Sequence, residues 1–345
     1  MANLAIFSWL SDFKVWLNVL FPLIAGIGVY LVGWYVRLIK GTKSNLNTWL
    51  KAMEMWQMSH MVDGEQELRV VASVLRRYWY RYVYSACFFG VGIGLIALTI
   101  GSALISLTIA GNLTGFDLMA PQGNDAPIMS ALGVLFVTGA GGCAIMIGIW
   151  RAQREMASAL NYADLRQRRL SDYRSPAFLL VIGLIFVFLC GVTALLFPYV
   201  GSFHWQQFEN GRNLVITFPP TLIFLAPVLV LSSLVLLEWV MIRVVRGARL
   251  LILPNPVVSQ RTDDLLRASL IGFLQGGEFL VLAEFCVSLG SLGSTRALDQ
   301  SSYGWLYHSL WAIGLVLFAC FWGFARSYGG IGGRAFRRSV EMVQR

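Results

Sequence analysis

The sequence predicts an all-α fold, a polytopic membrane bundle of seven transmembrane helices, and three observations predict it. Seven long apolar segments recur along the chain, and a helix of about 20 apolar residues crosses the roughly 30 Å hydrocarbon core of a bilayer. Charge is scarce, at 13% of 345 residues against roughly 25% in a soluble domain, and the deficit falls in blocks. The basic residues lie almost entirely on one side of the apolar segments. Segments 37–81, 151–174, 243–267 and 326–345 hold 8, 6, 5 and 5 of the 27 Lys and Arg residues, and the opposite side holds Lys14, Arg212 and Arg296. Basic residues resist translocation, so the crowded side reads as cytoplasmic. The N-terminus is then outside and the C-terminus inside.

The elements follow in order within one membrane domain, residues 1–345. The first span covers about 15–36, uncharged between Lys14 and Arg37, with Pro22 inside it. The opening residues MANLAIFSWLSDFK lack a basic start before the apolar run, so this segment is expected to stay as a helix rather than be cleaved. The connector 37–81 is read as cytoplasmic, with one helix near 46–60 and another from about 65 that enters the second span. Asp63-Gly64 is a turn signal between them. The second span lies within 82–111, after Arg76-Arg77-Tyr78-Trp79-Tyr80-Arg81. The third covers about 127–150, the fourth 176–199, the fifth 215–242, the sixth 268–292 and the seventh 305–325. Trp16, Trp34, Tyr35, Tyr82, Trp150, Trp239, Trp305 and Trp322 stand at span ends, where aromatic rings favour the membrane–water boundary. The tail 326–345 opens on Tyr328-Gly329-Gly330-Ile331-Gly332-Gly333 and turns basic at Arg334, Arg337 and Arg338. It reads as a joint followed by a short surface helix. Arg81, Arg174 and Arg267 open three successive hairpins at intervals of 93 residues. The residues between them do not align, so the spacing is a hint of repetition and no more.

The net charge of +9 suits anionic lipid on the cytoplasmic face, worth about 1 kcal/mol per basic residue near the surface. Nucleic acid is not expected as a partner. Cys87, Cys143, Cys190, Cys286 and Cys320 all fall inside predicted spans and read as small packing residues. No metal spacing is present, and no cofactor is expected. A retinal Schiff base would need a span lysine, a haem paired span histidines, a zinc protease an HExxH pair, and a nucleotide-driven pump a phosphate loop. The chain offers none of these.

The sixth span carries the most chemistry, with Gln275, Glu278 and Glu284. An ionised carboxylate at the bilayer centre costs roughly 3 kcal/mol. Each must therefore face the bundle interior, find a partner or stay protonated. At 100° and 1.5 Å per residue, Glu278 and Glu284 stand about 120° apart and about 9 Å along the axis, so they form no dyad. Glu284 shares a stripe with Gly277, Ser288 and Ser291, which reads as a close helix contact. Gln275 and Glu278 share another face. These residues either relay protons or cations, or hydrogen-bond between helices as structural links; the structural reading carries more weight. Glu238, near the cytoplasmic end of the fifth span, is expected to pair with Arg243 or Arg246. His308 reads as an interfacial hydrogen-bonding residue. In the connector, Trp49, Met53 and Trp56 recur at helical spacing within a Met-rich run. A soft-metal site is less natural there than an amphipathic helix laid on the membrane or on a partner. Glycines at 90, 92, 94, 139, 141, 142, 183 and 191 let helices approach closely.

With no catalytic constellation, the chain reads as a non-enzymatic subunit of a larger bacterial inner-membrane assembly for secretion, conjugation or energy transduction. Its expected partners are other membrane subunits or itself. The alternative is an ion- or proton-coupled transporter or channel using the sixth-span carboxylates.

Overall fold

A computed structural model describes residues 20–40, 64–110, 126–156, 169–174, 176–199, 203–209, 212–218, 220–247, 256–291 and 304–329. Trp49, Met53 and Trp56 and the tail beyond residue 329 lie outside the described residues. Helix α1 (Phe21–Tyr35) has Pro22 in its first turn, where the missing N–H breaks no helical hydrogen bond. It continues as a π-helical turn, Val36–Lys40. Helix α2 (Glu65–Tyr78) starts at Gly64, whose φ of +99° is a conformation that glycine alone takes cheaply. That explains the turn signal. A π-helical stretch, Trp79–Tyr84, joins α2 to α3 (Ser85–Ala110). The wider turn buries Trp79, Tyr82 and Val83. Then come α4 (Ala126–Met156), α5 (Pro176–Leu196), α6 (Leu225–Arg246), α7 (Pro256–Ser291) and α8 (Gly304–Gly329).

Five helical stretches are long and apolar enough to cross a membrane: Leu68–Gly101, Ser130–Arg154, Ala177–Leu196, Pro220–Arg246 and Val258–Ser291. Shorter apolar stretches fall in α1 and α8. The all-helical expectation holds for this bundle but not for the connector between α5 and α6. There β1 (Phe203–Glu209) and β2 (Arg212–Phe218) pair antiparallel, from Phe203 opposite Phe218 to Glu209 opposite Arg212. The two residues between the strands are Asn210-Gly211, the pair that two-residue hairpins favour. The expected fifth span, 215–242, therefore starts too early. Residues 212–218 belong to a strand, and the helix begins after Pro219.

Helix α7 is the axis of the bundle. Helices α4, α5, α6 and α8 pack on it, while α1 packs on α3 and α3 on α4. Its apolar stretch is 72% buried, against about a third for the other spans. The outer helices instead turn Leu180, Leu184 and Val187 of α5, and Trp305, Leu315 and Trp322 of α8, outward, as lipid-facing surfaces do. With 36 residues, α7 is about 54 Å long and outruns the roughly 30 Å hydrocarbon core. The helix that carries the sixth span thus begins at Pro256, ahead of the expected span start at 268. Residues 256–267 continue the packed helix rather than forming a solvated loop.

Small residues set the helix spacing. At Gly148 of α4 an added Cβ would land on the backbone carbonyl oxygen of Tyr82, and at Gly90 of α3 it would meet the Ala140 oxygen at 2.5 Å. Gly183 of α5 has open space instead. Gly148→Ala is expected to force α3 and α4 apart and to cost about 1–3 kcal/mol, the usual range for overpacking. Gly183→Ala is expected to be neutral or slightly stabilising, since Ala is the better helix former. Reversible unfolding in mixed micelles compares the two.

Candidate functional site

A buried ionic cluster occupies the Arg-rich end of the bundle. It begins with Arg174, which the short 3-10 turn Leu170–Asp172 presents to the packed faces of α6 and α7. Its guanidinium Nη1 donates to Glu238 Oε1, and Nη2 lies 3.4 Å from Glu278 Oε2. Its plane stands over the Phe178 ring, 5.0 Å from the centroid. Arg174 and Glu278 are buried, and Glu238 keeps a quarter of its side chain exposed. One guanidinium thus joins three segments, 169–174, α6 and α7. The neighbouring Tyr173 hydroxyl donates to Asp264 Oδ1 at 2.8 Å, giving that buried carboxyl a donor.

A second pair lies one step further along α7. Arg267 Nε donates to Asp263 Oδ2 at 2.9 Å, and both side chains are fully buried. The remaining guanidinium N–H groups donate to the Val244, Val245 and Gly247 carbonyls. Those carbonyls end α6, where no later turn supplies donors. Arg267 is therefore the C-terminal cap of a neighbouring helix, and Asp263 is its counter-ion.

Several expectations are corrected here. Glu238 pairs with Arg174, not with Arg243 or Arg246. Arg243 turns away and stacks over Trp239 at 5.2 Å, while the chain 64 residues earlier supplies the cation. Glu284 is not part of a tight contact stripe. It is exposed and accepts a hydrogen bond from Ser130 Oγ at 3.0 Å. Ser288 and Ser291 bond to carbonyls of their own helix, at Phe285 and Ser288. The close α7–α8 approach runs instead through Gly314, where an added Cβ would sit 2.7 Å from Val287. The separation of Glu278 from Glu284 follows the helical geometry, with one inside the bundle and one on its flank. Gln275 is buried one turn before Glu278, and His308 is exposed on α8.

Sequence reasoning missed Tyr173, Arg174, Asp263, Asp264 and Arg267, all assigned to loops. A signal was present. Asp263 and Arg267 have the i,i+4 spacing of a helical ion pair, and Pro256 offers a helix start. Arg174 and Arg267 are also two of the three arginines spaced by 93 residues. The third, Arg81, is half-buried and lies 5.5 Å from the Tyr82 ring centroid.

Beyond Glu278, the buried face of α7 is apolar, through Val281, Leu282, Phe285, Cys286 and Leu289. Ser288 bonds within its own helix. Among the described residues the buried charged groups therefore lie in the Arg-rich half of the interior, and the other half holds apolar side chains with the hydroxyls of Thr99, Ser130, Thr193 and Ser288. Two grooves open on the flanks. One, of about 480 Å³ between α5 and α8, is lined by apolar side chains such as Phe188 and Val316. The other, of about 230 Å³ between α3, α4 and α7, contains Thr99, Ser130, Thr138 and Glu284. Among the described residues no group of three His, Cys, Asp or Glu side chains could hold a metal ion. No family model, curated protein or solved structure matches this chain.

Proposed function

We propose that this chain is a non-catalytic, multi-pass subunit of a larger bacterial inner-membrane assembly, of the secretion, conjugation or energy-transducing kind. It crosses the bilayer seven times with its Arg-rich side in the cytoplasm, where anionic lipid meets the basic helix ends. The observation that carries this reading is the disposition of intramembrane charge. Glu278 is matched inside the chain, whereas Glu284 faces outward from a flank groove. A carboxylate left facing lipid is costly, and a neighbouring chain removes that cost. Beyond Glu278 the buried face of α7 is largely apolar among the described residues, which weighs against the alternative of a proton- or ion-coupled conduit.

Extraction from native membranes in mild detergent, followed by native mass measurement, is the test. Companion chains at fixed stoichiometry are expected, and a monodisperse monomer overturns the reading. In proteoliposomes, proton flux is expected to stay at the level of empty vesicles, and flux abolished by Glu278→Gln would favour the conduit instead. Reporter fusions at the two ends are expected in opposite compartments.

A further inference from the structure

We propose that the groove between α3, α4 and α7 receives a transmembrane helix of a different chain, one carrying a Lys or Arg side chain at the level of Glu284. This rests on the subunit reading above and names the chemistry of the partner. The groove runs along the helix axes. Ser130, Val134 and Thr138 mark two turns of α4, about 12 Å, with Leu98 of α3 and Leu280 of α7 as facing walls. Its lining is mainly apolar, as a packed helix requires.

Charge complementarity selects the occupant. Thr99 and Thr138 bond to carbonyls on their own helices, at Leu95 and Val134, so the carboxylate is the group that recognises charge. Ser130 binds Oε1, and Oε2 has no donor among the described residues. Glu284 lies seven residues before the end of α7 at Ser291, about 10 Å along the axis. With the sixth span ending near 292, as the subunit reading has it, that depth is below the lipid headgroups, and a basic side chain fixed on a helix reaches it more readily than a lipid amine does. A second copy of this chain is a poor match. None of the seven apolar segments contains a lysine or an arginine, and Lys14, Arg212 and Arg296 on the outer side all fall outside them, so a second copy brings no cation within a span to the level of Glu284. Small residues widen the groove. A Cβ on Gly133 would meet only the Leu98 side chain, at 3.6 Å.

The purified full-length chain in phosphatidylcholine vesicles tests the assignment, with a fluorescent Leu/Ala transmembrane peptide about 20 residues long that bears one Lys in its outer third. The same peptide with Leu at that position is the comparison. The Lys peptide is expected to bind about tenfold more tightly, in line with an interhelical polar contact in lipid. Glu284→Leu, an exchange at an exposed site, is expected to erase the preference. Gly133→Leu fills the groove without touching the carboxylate and is expected to weaken both peptides. Thermal melts of both variants are expected to match the unsubstituted chain. Equal binding of the two peptides overturns the proposal, as does a Lys preference that survives Glu284→Leu. Complete displacement of the Lys peptide by added phosphatidylethanolamine overturns it in favour of a lipid amine. Displacement by raising the density of the chain itself overturns it in favour of a second copy. Companion chains that still co-purify with Glu284→Leu at wild-type stoichiometry overturn the groove assignment alone. A monomeric wild-type chain instead removes the subunit reading.

Discussion

Arg267→Met is expected to give the largest loss of stability in this chain. The side chain and its counter-ion Asp263 are both fully buried. Methionine fills similar volume, so the loss would come from polar groups and not from a void. Asp263 would lose the guanidinium paired with it, and removing one member of a buried pair costs about 3–5 kcal/mol. The carbonyls of Val244, Val245 and Gly247 would also lose the guanidinium donors that end α6. For the buried carbonyls of Val244 and Val245, each acceptor left unmade costs about 1–3 kcal/mol. Reversible unfolding in mixed micelles reads the sum. Amide exchange locates it, and the last turn of α6 is expected to exchange first. A double substitution, Asp263→Leu with Arg267→Met, is expected to recover the ion-pair part, because replacing both members is often near neutral. It should not recover the capping part. A single Arg267→Met chain as stable as the parent would show that the pair holds nothing together.

Arg174→Met is expected to be second in size. It would leave Glu278 buried beside Glu238, two carboxyls that one guanidinium links. The cost falls unevenly, since Glu238 has a quarter of its side chain exposed and Glu278 has almost none. Adding Glu278→Leu to Arg174→Met is therefore expected to restore most of the loss, while adding Glu238→Gln restores less. The single change is expected to cost about 3–5 kcal/mol. It is also expected to free residues 169–174 from the bundle, seen as faster proteolysis at that segment. Equal rescue by the two second-site changes would contradict the assignment of Glu278 as the inner partner.

Legibility in the sequence was uneven, and the reasons are physical. The apolar segments could be read because oil-like composition over about 20 residues has few other uses. The split between Glu278 and Glu284 could be read because the helical repeat places them on different faces. The turn at Gly64 could be read from local backbone geometry, and Gly90 and Gly92 do pack closely, whereas Gly183 and Gly191 face open space and the tight contacts at Gly148 and Gly314 depend on which helices become neighbours. The start of α7 was misjudged because Thr262, Asp263, Asp264 and Arg267 look solvated when counted singly. Asp263 and Arg267 pair four residues apart, but Asp264 and the other Arg267 N–H groups find Tyr173 and the end of α6, and hydropathy registers residues, not partners. The hairpin at 203–218 was passed over because a short polar connector was all that the span pattern required, although Asn210-Gly211 marked it.

The chain's composition and periodicity by themselves determined a multi-helix membrane protein with basic helix ends and carboxylates on its most polar span, because those properties depend on each segment's own side chains. Tertiary structure alone decided that Glu238 answers to Arg174, that Arg267 ends α6, and that Glu284 looks outward into a groove. Those outcomes depend on which helices become neighbours, and in a low-dielectric interior the pairing of charges, not their number, sets the energy.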